Sequence, residues 1–398
     1  MPQPLQVLKS ELRTELDRIL NYWSNHTLDF DHGGFLGQID HWNNVVPNAP
    51  KGIILNTRIL WSFSAASNHL KTNAYQHICD RAYDYLKDYF KDPVHSGVFW
   101  ELDYKGNPTN TRKQIYAQAF AIYALSEYYI FSKNEDAKQW AIQVFEIIEE
   151  VAKDSLNGGY LEAFREDWLP IEDMRLSTKD LNASKTMNTH LHILEAYTRL
   201  SDIYENDQLR NSLKELVLLF QNRFLTAENH YDLFFDSNWS LLSSVISYGH
   251  DIETAWLVIE AVKRLNNQPL LKEVQETAIR VANTFLQEAI DDDMGVINEK
   301  NAKTGQVDQD RHWWPQMEAI VGLSYVYGLT NDPKYIESAL AIWKFTKKHL
   351  VDHVNGEWHF RVDKNGIPYT QEDKVSMWKA PYHTTRACIL LSTENPLG

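Results

Sequence analysis

Three histidines, His192, His250 and His383, stand in the phrases MNTHLHILEAY, SYGHDIETAWL and WKAPYHTTRAC, each with an acid or an arginine three residues on. On a helix that spacing puts the histidine and its partner on one face. Imidazole is the side chain whose ordinary pKa lies near neutrality, so groups of this kind suit proton transfer. No G-x-G-x-x-G turn follows a strand, and neither a cysteine cluster nor a serine elbow competes with them. The chain therefore reads as an acid–base enzyme, with no nicotinamide route and no cofactor expected.

Further polar and aromatic residues interrupt otherwise apolar helical segments at comparable places: Asn56, Arg58 and Trp61; Tyr116 and Gln118; Asn188, four residues before His192; and Trp314 with Glu318. His190 points away from the Asn188–His192 face. Each has a plain structural alternative. Core histidines are commonly just hydrogen-bonded, Arg58 could tie helices together through a buried carboxylate such as Glu318, and Asp251 or Glu253 could complement a helix N-terminus. Those alternatives weaken jointly, because the positions recur on alternate helices. A metal centre is a sharper rival: His192-x-x-Glu195 and His250-x-x-Glu253 resemble half of a di-iron pattern, but in reversed order. No metal is expected.

The elements that position these residues repeat. Gly- and aromatic-rich phrases recur at 32–40, 96–106, 158–164, 230–239, 294–300 and 356–366, roughly 60–70 residues apart. Lys105-Gly106 and Asn365-Gly366 close two of them with hairpin chemistry. Apolar periodicity between them predicts helices at 5–25, 52–69, 73–91, 113–132, 135–153, 185–203, 206–226, 251–265, 269–289, 313–329, 333–349 and 378–393. Twelve helices in six pairs bury their apolar faces by closing into a ring. The expectation is all-α, an (α/α)6 barrel with short β-hairpins between helix pairs, one catalytic domain over 1–398. An open superhelix of helix pairs is the alternative.

Composition bounds the partners. A net charge of −15 argues against a polyanion such as nucleic acid. No stretch is long and apolar enough for a membrane span, and the first twenty residues lack the pattern of a secretory signal, so a cytoplasmic address is expected. Cys79 and Cys388 fall in apolar helical phrases and read as buried free thiols. The aromatic excess, 13 Trp, 20 Tyr and 16 Phe, suits the flat apolar faces of sugar rings. The partner expected is a small sugar, bound by a monomer or weak homodimer.

The phrases KGIILNTRILW, YAQAFAIYALSEYY, SKTMNTHLH, SYGHDIETAWL, WWPQMEAIVG and WKAPYH resemble the N-acylglucosamine 2-epimerase superfamily, most closely its cellobiose 2-epimerase branch, in order and over almost the whole chain. The resemblance implies an (α/α)6 barrel that epimerises C2 of a reducing-end glucose or mannose without metal or nucleotide. It implies that Arg58 contacts the O1 or O2 region of the sugar and that Tyr116 binds substrate. Asn188 and His192 match a polar pair on the inner fifth helix. His250 and Glu253 match groups of proton transfer and ring opening, Trp313 or Trp314 and Trp378 match sugar-stacking tryptophans, and His383 matches the second acid–base histidine. One departure stands out: PYH continues with Thr384-Thr385-Arg386, where the family usually has Asn-Gly-Arg, which bears on a second sugar subsite and on a related group that acts on free mannose. The chemistry would run through an enediolate, with Arg58 and a protonated His192 as donors and His250 and His383 as bases on opposite faces. An aldose–ketose isomerase, a glycoside hydrolase using Glu253 and Glu318, and a non-catalytic sugar-binding protein are the alternatives.

Overall fold

The computed structural model describes residues 3–393. Among them twelve α-helices follow one another: α1 (Gln3–His26), α2 (Ile53–Leu70), α3 (Gln76–Tyr85), α4 (Ile115–Ser132), α5 (Glu135–Ile147), α6 (Met187–Leu200), α7 (Asp207–Leu219), α8 (Tyr248–Leu265), α9 (Gln268–Glu288), α10 (Trp313–Thr330), α11 (Pro333–His349) and α12 (Tyr382–Ser392). The even-numbered helices pack side by side in the order α2, α4, α6, α8, α10, α12 and back to α2, closing a ring. Each odd-numbered helix leans on the inner ring from outside, α1 against α12. The expected (α/α)6 barrel is what forms, not an open superhelix.

The sequence separates the two rings. All residues from Ile53 to Ser67 of α2 and from Ile115 to Tyr128 of α4 are buried, so these helices are covered on every side. The outer α7 buries only Leu209, Ser212, Leu213, Leu216 and Val217, the stripe of a surface helix. The corner from inner to outer helix is tight. Lys133, Asn266 and Asn331 adopt left-handed conformations that end α4, α8 and α10. In each case the next residue, Asn134, Asn267 or Asp332, caps the following helix with its side chain.

Hairpins link each outer helix to the next inner one, and they join into a belt. Residues 51–52, just before α2, pair antiparallel with 101–102 of the next hairpin; 113–114 pair with 163–164, 185–186 with 234–235, 245–247 with 299–301, and 311–312 with 361–362. A bridge between Ile39 and Val375 closes the circle. A buried ion pair pins most of these joints: Lys51–Asp29 at 2.7 Å, Lys113–Asp92 at 2.6 Å, Lys185–Asp154 at 2.7 Å, Arg311–Asp291 at 2.6 Å and Lys374–Asp352 at 2.6 Å. The remaining repeat has Thr226 and Ile246 at the matching positions and no such pair. The belt fixes where each inner helix begins, and every chemically suspect residue lies in the first half of an inner helix or just before it.

Two helix starts near the site and one place in the helix order differ from expectation. α8 starts at Tyr248, so His250 lies within its first turn. α12 starts at Tyr382, which leaves Trp378 in the preceding loop. Asn188 and His192 lie on α6, the third inner helix and sixth in chain order, not a fifth. Cys79 and Cys388 are buried and free, as their phrases indicate.

Candidate active site

The ten residues that the family resemblance assigned to the site line one cavity at the N-terminal ends of the inner helices. Arg58, Tyr116, Asn188, His192, His250, Glu253, Trp313, Trp314, Trp378 and His383 enclose about 180 Å³, together with Phe360. Phe360 comes from a hairpin whose aromatic–polar alternation carried no chemical signal of its own.

One wall is charged. His383 Nδ1 lies 2.7 Å from Glu318 Oε1 and 4.0 Å from Glu253 Oε1. The Arg386 guanidinium donates to Glu253 at 2.6 Å and to Glu318 at 2.7 Å, and also grips Glu195 and the Tyr382 hydroxyl. Burial, and for Glu253 also the nearby Glu318, raises the pKa of both carboxyl groups, while burial drives His383 well below its ordinary value. The Glu195 carboxylate is also buried, yet Arg386 and His192 hold it down to about 2. Of the three carboxyl groups around this guanidinium, Glu253 and Glu318 thus take up a proton more readily than a free carboxylate, and Glu195 less readily.

The opposite wall is plainer. His250 Nδ1 meets only the Ser247 hydroxyl, at 2.8 Å, and burial lowers its pKa to about 4. Its ring packs on the Trp314 indole with centroids 4.8 Å apart, and the His383 ring lies 5.4 Å from the same indole. Both imidazoles thus have Nδ1 occupied by a protein partner and border one aromatic plate.

His192 forms the third side. Its Nδ1 lies 3.0 Å from Glu195 Oε2, but burial outweighs that bond and lowers its pKa. That shift favours the neutral ring, where the sequence led to the expectation of a protonated donor; the permanent cation near it is the Arg58 guanidinium. That guanidinium donates to the Tyr116 hydroxyl at 2.9 Å and to the Trp378 carbonyl at 3.3 Å, and it does not reach Glu318. Burial pushes the Tyr116 phenol up to about 12 and keeps it protonated. Arg58 Nε and Asn188 Oδ1 are buried with no protein partner, and buried polar atoms of this kind normally find one. Trp314 is half-buried and Trp313 almost fully buried, wedged against Phe360 at 4.7 Å with the Lys379 ammonium 5.0 Å from its ring.

Other suspected residues are structural. Gln118 clasps the backbone of Val98 through both amide atoms, at 2.8 and 2.9 Å. His190, at the matching place on α6, accepts from the Tyr160 N–H at 2.9 Å. Asp251 accepts from the Tyr231 N–H at 2.9 Å. Thr384 and Thr385 are fully buried within α12 and do not line the cavity, so the departure after PYH falls outside the chamber wall. The sequence suggests a role for Glu318 only in the hydrolase alternative and marks Arg386 without one; Ser247 is the residue missed, and a Ser immediately before a helix that begins Tyr-Gly-His is the available signal.

Among the described residues two groups have metal-ligand geometry. In Glu253, Glu318 and His383 the ligand atoms lie within 4.8 Å of one another, but the Arg386 guanidinium already supplies the cation between the two carboxylates. In Asp308, Asp310 and His312, Asp310 is taken by Arg361 at 2.9 Å and Tyr369 at 3.0 Å. The same distances count against hydrolysis. Glu253 and Glu318 share one guanidinium nitrogen, whereas glycosidase carboxylates stand about 5–9.5 Å apart across the scissile bond.

The family model for N-acylglucosamine 2-epimerase matches residues 34–387. The chain belongs to this family. A cellobiose 2-epimerase of Bacteroides fragilis is 42% identical over 98% of this chain and 100% of its own length. A solved cellobiose 2-epimerase of Bacillus thermoamylovorans superposes with a TM-score of 0.92 at 35% identity, covering 96% of this chain and 98% of that one. A D-mannose isomerase of Marinomonas mediterranea is more distant, at 23% identity over 98% of both chains.

Proposed function

We propose that the chain is a sugar 2-epimerase that interconverts glucose and mannose configuration at C2 of the reducing-end aldose of a cellobiose-type disaccharide, with His250 and His383 as its two bases. The observation that carries this reading is the pairing of the two imidazoles on the Trp314 indole, each with Nδ1 engaged and Nε2 left for the cavity. A sugar ring stacked there has one imidazole toward each face of C2.

The pyranose must open before C2 becomes acidic, because only the aldehyde stabilises the carbanion. The proton retained among His383, Glu253 and Glu318 feeds O5, and neutral His250 takes the O1 proton. With the aldehyde formed, one neutral imidazole removes the C2 proton and the enediolate charge develops at O1 and O2. Arg58, with the Tyr116 hydroxyl in its grip, is the preorganised donor for that charge. The other imidazole returns a proton to the opposite face, and in the reverse direction the two exchange roles. His192 and Asn188 hold the hydroxyls, and Trp313, Trp314 and Trp378 the ring. Every step is a proton transfer between named side chains and carbon or oxygen, and none calls on a metal or nucleotide.

Incubation with cellobiose, lactose and free mannose in D2O tests the reading. The expected product is the C2 epimer of the disaccharide carrying deuterium at C2. A ketose product points instead to the isomerase chemistry named for the mannose-acting relative, and monosaccharides released from cellobiose or lactose to hydrolysis; either outcome refutes the proposal.

A further inference from the structure

The barrel has a second cavity at its other mouth, and it is larger than the catalytic chamber. It measures about 390 Å³ and lies among the C-terminal halves of inner helices, with Ala65 on α2, Tyr123 on α4, Thr198 on α6, Leu257 on α8 and Leu390 on α12 at its wall. A layer one side chain thick separates it from the chamber. Glu195 and Arg386 line this cavity, yet Glu195 also receives the His192 hydrogen bond and Arg386 also holds Glu253.

Its chemistry is that of a carbohydrate site, not an ion site. Part of the wall is aromatic: the Trp61 and Tyr123 rings stack at 5.1 Å and 16°, with Trp256 nearby. The Trp61 indole N–H is buried and meets no acceptor. The rim is charged and paired within itself, with carboxylates in excess: Arg199 bonds Glu127 at 2.6 Å and Asp202 at 2.8 Å, while Arg264 bonds Glu260 at 2.7 Å. Each arginine there has a carboxylate partner and none is left for an anionic ligand, yet the paired groups keep lone pairs and N–H groups available to hydroxyls. Its volume falls within the range of small-molecule sites, about 300–1,000 Å³. Aromatic side chains beside hydrogen-bonding groups match a ring that is apolar on its C–H face and hydroxylated at its edge.

We propose that this opposite-mouth cavity binds a second sugar: a neutral, polyhydroxylated, hexose-sized ring, distinct from the one that reacts. The inference goes beyond the epimerase reading and does not depend on it, because its test reads occupancy and not turnover.

The experiment uses the full chain carrying Leu390→Cys. The native thiols Cys79 and Cys388 are buried with pKa values pushed up, so alkylation by iodoacetamide reports the new one. Methyl α-D-mannopyranoside and methyl α-D-glucopyranoside, whose locked anomeric carbons prevent ring opening, should slow alkylation several-fold in a saturable manner. Glucuronate and glucosamine should protect far less. Protection should persist when Arg58→Ala is added, since that substitution disables the chamber and leaves this cavity intact. Should Leu390→Cys fail to fold by circular dichroism, Thr198→Cys on the facing helix takes its place with the same expectation. An alkylation rate unchanged by the glycosides overturns the proposal, as does protection that vanishes with Arg58→Ala or is equally strong with the charged sugars.

Discussion

The two walls of the catalytic chamber carry the same side chain in opposite surroundings. His383 on α12 is backed by Glu318, with Glu253 and Arg386 behind it, whereas His250 on α8 has only the Ser247 hydroxyl and the Trp314 face. An imidazolium at His383 forms against carboxylates; one at His250 forms without a counter-charge. Burial thus favours proton uptake at Glu253 and Glu318, whose carboxyl pKa values are raised, and a neutral imidazole at His250. Two histidines that look equivalent in sequence thus stand in different electrostatic surroundings, which suits the two-base exchange proposed above.

The comparison breaks first, if it is wrong, on the histidines themselves. His250→Ala and His383→Ala should each lower kcat by about 10²–10⁴-fold in both directions, the usual size of a lost general acid–base group. The check is initial-rate kinetics on each epimer, with substrate affinity less affected because Arg58 and the tryptophans remain. Next in size, Glu318→Gln removes the carboxylate that orients His383. Loss of an orienting carboxylate costs up to about 10⁴-fold when the tautomer inverts; with Glu253 still close, a fall in kcat of about 10²-fold is expected. Ser247→Ala removes one neutral hydrogen bond, worth about 1 kcal/mol, and should cost only about fivefold. A larger loss for Ser247→Ala than for Glu318→Gln would invert the comparison.

The pH profile sharpens it further. His250 must be neutral to act as base, and its folded pKa is lowered from 6.5 to about 4. Activity should hold below pH 6 and fall only as the pH approaches that value, measured by kcat between pH 8 and 4. A separate acid effect concerns stability. His190 accepts the Tyr160 N–H on Nε2 and must stay neutral, with a folded pKa of about 4 against 6.5 for an ordinary histidine. The unfolded chain takes up that proton first, so stability falls as the pH drops from 6.5 toward 4. The loss attributable to His190 is about 3 kcal/mol. Denaturant titrations of the wild type and His190→Gln, whose acid sensitivity should be smaller, check this.

Much of this was legible in the sequence because both signals are periodic. Apolar spacing marked all twelve helices, and the recurrence of polar residues on alternate ones, joined to the family resemblance, picked out every cavity residue except Phe360. What stayed hidden depends on contacts between segments far apart in the chain. Nothing local tells that Arg386 holds Glu195, Glu253 and Glu318 together, or that Gln118 and His190 clasp hairpin backbones while Tyr116 and His192 face the cavity. The belt of paired hairpins was equally invisible, since its strands are mostly two residues long and their partners lie about fifty residues away. Burial, too, is a property of the assembled barrel, and burial is what lowers the pKa of His192, which the sequence led to the expectation of a cation.

The central claim, two bases on opposite faces of one C2, is tested most directly by following C2 proton exchange with D2O in His250→Ala and His383→Ala, starting from each epimer separately. The two-base account predicts that each variant still exchanges the C2 proton of one epimer, a different one for each variant, while forming almost none of the other epimer. A variant that keeps both exchange and epimerisation near wild-type rates, while the other loses both, would contradict it in favour of a single base and a rotating intermediate.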